Sequence, residues 1–115
     1  MTDVRAFTMG DQGYFVGIVA LLNSLRITGN AMPLTVLDVG LAPWQRDLLE
    51  PHCDLVRARP GVNIFLLKTD APRTSGADVT VILDSDLLVT GSLAPMVDAA
   101  AAGKVCAYQD VSDRR

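Results

Sequence analysis

Val79-Thr80-Val81-Ile82-Leu83 runs without interruption into Asp84-Ser85-Asp86. The first five residues are apolar or β-branched almost throughout. That pattern predicts a strand buried on both faces, as at the centre of a parallel sheet. The acidic triplet ends the strand. In open α/β sheets ligands bind outside the carboxyl ends of the strands, so this triplet stands where a ligand is expected.

Working outward from that strand, the chain alternates. Upstream, Val4-Arg-Ala-Phe-Thr-Met9 predicts a first strand closing in the turn Gly10-Asp11-Gln12-Gly13. A helix is expected over 14–27, with Phe15, Ile18, Val19, Leu22 and Leu25 at helical spacing and Asn23, Ser24 and Arg26 on the wetter side. Gly29-Asn30 supplies its stop. Residues 34–39 form a β-rich run. Pro43 then fits the first turn of a second helix, with Trp44, Leu48 and Leu49 as its apolar stripe and Pro51 as its end.

Residues 54–57 predict a third strand; the run Ile64-Phe-Leu-Leu67 fits a helix turn or a strand, the helix, carrying Lys68, being favoured. Downstream, Ser92-Leu-Ala-Pro95 starts a helix over 96–102 that Gly103 terminates, and 104–108 predicts a last strand. Strand and helix in alternation imply an α/β fold, a mostly parallel sheet flanked by helices.

The 115 residues suit one domain over 1–115. Half of them are apolar and a fifth charged, enough to bury a core. A net charge of −3 provides no basic field, so nucleic acid is not expected as a partner. The longest apolar stretch, 14–22, is short of a membrane span, and Met1-Thr-Asp-Val-Arg5 does not open a signal peptide. Cys53 and Cys106, far apart, predict buried thiols in a reducing compartment, hence a cytoplasmic chain.

Acids recur at the predicted strand ends: Asp11, Asp38, Asp84, Asp86 and Asp110. Each alone is an ordinary turn or capping residue. Asp84 and Asp86 differ because two carboxylates two residues apart repel one another unless a cation lies between them. Their hard oxygens suit Mg²⁺ or Mn²⁺, which keep open positions for phosphate. A phosphatase of the haloacid-dehalogenase type also places Asp-x-Asp after a strand, but its Thr two residues after the second Asp is here Leu88. His52, the single imidazole, falls at the opposite edge of the sheet, so no Ser-His-Asp or Cys-His set assembles. No glycine-rich dinucleotide fingerprint is present either.

The run Val81-Ile-Leu-Asp84-Ser-Asp86-Leu-Leu-Val-Thr-Gly-Ser-Leu93 resembles the signature of GT-A fold glycosyltransferases. It is most similar to the glycogenin and lipopolysaccharide galactosyltransferase group, the family 8-like enzymes. Ala20-Leu-Leu-Asn-Ser-Leu-Arg26 is similar to that group's first helix, and Leu37-Asp-Val-Gly40 with Gln45-Arg46 and Leu48-Leu49 to its second strand and helix. Phe65-Leu-Leu-Lys68 matches a helix that carries a donor-contacting Lys in relatives.

The resemblance implies a Rossmann-like nucleotide-sugar-binding domain and metal-dependent glycosyl transfer, with a UDP-sugar donor and an unknown acceptor. By the same resemblance, Phe7, Thr8 and Asp11 line the base and ribose pocket, and Lys68 meets the donor. The Ser85 backbone touches it, while Asp84 and Asp86 hold Mn²⁺ or Mg²⁺. Enzymes of the group are usually longer, and their remaining part supplies a third metal ligand and the acceptor site. The chain is therefore expected to be the donor-binding half of such an enzyme, self-associating through an exposed sheet edge. Two other readings are a nucleotide- or metal-binding module without transfer activity and an α/β interaction domain.

Overall fold

The computed structural model describes residues 2–58, 73 and 75–107. Its framework is a parallel four-stranded sheet of β1 (Val4–Gly10), β2 (Leu34–Asp38), β3 (Asp54–Arg57) and β4 (Val79–Ile82), in the order β3-β2-β1-β4. The helices are α1 (Phe15–Ile27), α2 (Pro43–Leu49) and α3 (Ala94–Ala101), with a 3₁₀ turn at Gln12–Tyr14 before α1. The α/β alternation expected from the sequence is the observed architecture.

The register explains the core. Ala6 pairs with Leu34 on one side and Val81 on the other, and Val36 pairs with Leu55. These residues share one face of the sheet, and α1 lays Ile18, Leu21, Leu22 and Leu25 against it. Burying each such side chain contributes about 1.5–3 kcal/mol. The helix ends where its sequence says it should. Gly29 adopts φ 74°, its N–H bonds to the Arg26 carbonyl, and the Asn30 N–H reaches back to Leu25 at 2.9 Å. That pair of bonds satisfies carbonyls the helix leaves open.

Several expectations are corrected. β4 is an end strand among the described residues, with Ile82 exposed, whereas β1 and β2 hold the fully buried positions. An apolar run marks a strand but not its place in the sheet. The inward residues of α2 are Gln45 and Leu49, four apart, while Trp44 and Leu48 are exposed. Helical spacing fits either stripe, and the buried end of the helix is set by Gln45 hydrogen-bonding inward. Residues 104–107 form no strand and are exposed, so Cys106, expected buried, is exposed, and Cys53 is only half-buried; Tyr108 lies outside the described residues. Ser24 is partly buried rather than on a wet face, because its hydroxyl bonds other parts of the chain. The expected helix carrying Lys68 lies outside the described residues.

No helix among the described residues is long and apolar enough to cross a membrane.

Candidate functional site

After β1 the chain moves to β2 on one side and later returns to β4 on the other. The carboxyl ends of β1 and β4 therefore flank a topological switch point, where such sheets open a ligand crevice. Asp11 directly follows β1, and Asp84-Ser85-Asp86 begins two residues past β4. Pairing persists to the base of that segment, since the Leu83 N–H donates to the Phe7 carbonyl at 2.9 Å.

The acidic triplet is a β-turn. The Leu87 N–H donates to the Asp84 carbonyl at 3.1 Å, closing four residues with the two acids at the first and third positions. Asp84 and Asp86 are exposed, and Ser85 between them is buried. The turn rests on α1. A Cβ built on Gly17 would overlap the Ser85 carbonyl oxygen, so only glycine allows this approach. Gly17 lies in the first turn of α1, and nothing near it in the sequence announces this contact.

The β1–α1 connection is fixed locally. Asp11 Oδ1 accepts the Gly13 N–H at 2.9 Å, and the Asp11 carbonyl accepts the Tyr14 N–H at 3.1 Å. Asp11 is exposed despite this capping bond. Gln45 ties α2 to the same edge: Oε1 accepts the Ala42 N–H at 2.9 Å, and Nε2 donates to the Gln12 carbonyl at 3.3 Å. Its position at the third residue of a helix was the available signal. Beside it, Phe15 and Trp44 meet edge to face with centroids 5.2 Å apart.

Asp38 is occupied differently. It is buried, and Oδ1 accepts the N–H groups of Gly40 and Leu41 at 2.9 and 2.7 Å. Its buried carboxylate is committed to the fold. Phe7 and Thr8 are buried within β1 on opposite faces of the sheet, and Thr8 Oγ1 has no hydrogen-bond partner. The structure thus brings Asp11, Asp84, Ser85 and Asp86 to one edge and leaves Phe7 and Thr8 inside the strand; Lys68 lies outside the described residues. Among the described residues no three His, Cys, Asp or Glu side chains converge as a metal-binding group.

No protein-family model and no curated protein sequence matches the chain. Solved structures do. The galactosyltransferase LgtC in complex with donor and acceptor sugar analogs superposes with a TM-score of 0.61 at 18% sequence identity, over 80% of this chain and 41% of that one. An active-site mutant of LgtC matches equally, with TM-score 0.61, 18% identity and the same coverage.

The chain has a glycosyltransferase-like fold. At this identity the likeness concerns the fold, and the chain spans about two fifths of the LgtC chain. Within this glycosyltransferase-like sheet the exposed acidic turn stands at the switch point.

Proposed function

We propose that the chain binds a nucleotide-sugar donor, a UDP-sugar, through a divalent cation and serves glycosyl transfer to an acceptor. The observation that carries this reading is the Asp84-Ser85-Asp86 turn, with both carboxylates exposed, just past β4 at the switch point. The donor set fits the ion: two carboxylates supply hard oxygens suited to Mn²⁺ or Mg²⁺. When bound, the cation would stabilise charge on the nucleoside-diphosphate leaving group as a Lewis acid. Asp11, exposed directly after β1, meets the ribose, while Phe7 and Thr8, buried on opposite faces of β1, support the base pocket from within the strand rather than line it together. The Ser85 backbone and Lys68 complete the contacts to the donor. The likeness to a galactosyltransferase that binds donor and acceptor sugar analogs supports the same reading.

Calorimetry of UDP with and without Mn²⁺ tests it. Binding should require the metal and vanish with EDTA; equal affinity in both conditions would refute it. A second reading is donor binding without transfer. Turnover of a UDP-sugar separates the two.

A further inference from the structure

We propose that one side of α1 sets the position of the 84–86 turn, with Gly17 as its positioning residue. The functional consequence rests on the reading of Asp84 and Asp86 as cation ligands.

Three contacts align two segments. At Gly17, an added Cβ would lie on the Ser85 carbonyl oxygen, 3.2 Å from its carbonyl carbon and 3.9 Å from the Asp86 nitrogen. These are backbone atoms of the acidic turn, not the tip of a flexible side chain, so relief requires the turn itself to move. Seven residues further along the helix, two turns and about 10 Å, Ser24 Oγ accepts the Val89 N–H at 2.9 Å. Ser24 is itself held, since its hydroxyl donates to the Leu21 carbonyl at 2.7 Å. Past the helix end, Asn30 Oδ1 accepts the Leu93 N–H at 2.9 Å and Nδ2 donates to the Gly91 carbonyl at 3.0 Å.

Gly17, Ser24 and Asn30 thus follow the chain from Ser85 to Leu93 in the same direction. Two exposed carboxylates that repel one another need a backbone that does not yield, because a loosely supported site loses its geometry. The helix provides that support, and the absent Cβ of Gly17 sets how deep the turn sits.

The test compares Gly17→Ala with Gly76→Ala. Gly76 has φ 74° and open space around it, just before β4 and away from the turn, so alanine there strains the backbone without touching the turn. Amide hydrogen exchange over residues 85–89 reads the turn directly. Paramagnetic resonance of Mn²⁺, with and without UDP, reads the site. Gly17→Ala should speed exchange at 85–89 and weaken Mn²⁺–UDP binding by roughly tenfold or more, the scale of lost ligand support. Gly76→Ala should lower the melting temperature and leave both readouts unchanged. If Gly17→Ala does not fold, Ser24→Ala carries the same expectation, with faster exchange at Val89 and weaker binding.

Unchanged exchange and affinity in a folded Gly17→Ala, or equal losses in Gly76→Ala, would overturn the proposal. A wild-type chain that binds no Mn²⁺–UDP would instead overturn the reading of the acids as ligands. The exchange comparison would still decide whether α1 positions the turn.

Discussion

Arg46 Nε lies 3.2 Å from Asp38 Oδ2, joining the middle of α2 to the carboxyl end of β2. The approach pairs the charges without the alignment of a hydrogen bond, since Nε has no hydrogen-bond partner. The stronger bonds are on the other oxygen, which accepts two backbone N–H groups of the β2–α2 connection. Asp38 therefore shapes the crevice edge without being free to face a ligand.

Replacing it should unfold the edge rather than empty a site. Asp38→Ala orphans the Gly40 and Leu41 N–H groups and leaves Arg46 without its partner, a loss of about 2–4 kcal/mol. Asp38→Asn keeps an acceptor oxygen and should cost less. Urea denaturation of both variants checks the order.

Asp86→Asn has the opposite signature. It keeps the shape of the turn and removes one charge. Metal-dependent UDP binding should fall by more than the roughly tenfold that outer contacts to a metal site are worth, while apo stability stays level or rises. Asp98→Asn on α3 is the control and should change binding little. Titration with Mn²⁺ and UDP beside melts without ligand decides it; unaltered binding in Asp86→Asn would remove the metal assignment.

The two thiols should react in sequence. Cys53 is partly buried, and its Sγ lies 3.4 Å from the Leu49 carbonyl, an acceptor for the protonated thiol. Burial pushes its pKa up from 9.0 to about 11; the nearby Asp54 charge adds to the rise and Arg26 opposes it. At pH 8 its thiolate is on the order of 100-fold scarcer than that of an ordinary thiol. A disulfide reagent should modify exposed Cys106 at once and Cys53 only slowly or on unfolding. Because the folded pKa is the raised one, the native state holds the proton more tightly. This contribution to stability is complete below pH 9 and is lost as pH rises through 11. Melts between pH 8 and 11 should show the decline, absent in Cys53→Ala.

Self-association is expected at the β4 edge. Among the described residues β4 has a strand only on its β1 side, and Ile82 on it is 48% exposed. Unpaired strand edges template further pairing, and a lysine on the edge blocks it. Sedimentation velocity should show concentration-dependent oligomers that Ile82→Lys reduces. A monodisperse wild-type monomer at every concentration would refute this.

The sequence by itself determined the parts whose signals are local. Alternating strand and helix runs, the glycine stop at Gly29 and the apolar spacing of Ile18, Leu22 and Leu25 each depend on residues within a few positions. So did the placement of Asp84 and Asp86 directly beyond a strand. Tertiary structure decided which neighbours meet. The run 79–83 reads as central, yet only strand order shows that β4 lies at an end among the described residues. Trp44 and Leu48 have helical spacing as good as Gln45 and Leu49, and only the docking of α2 onto the β1–α1 turn selects the second pair. Asp38 and Asp84 look alike at strand ends; one is buried against the connection behind it and the other is exposed on a turn. Gly17 is silent in the sequence because its partner, Ser85, lies far along the chain. Helix periodicity and turn chemistry act over a few residues, whereas close packing and charge pairing act only after the chain has brought distant residues together.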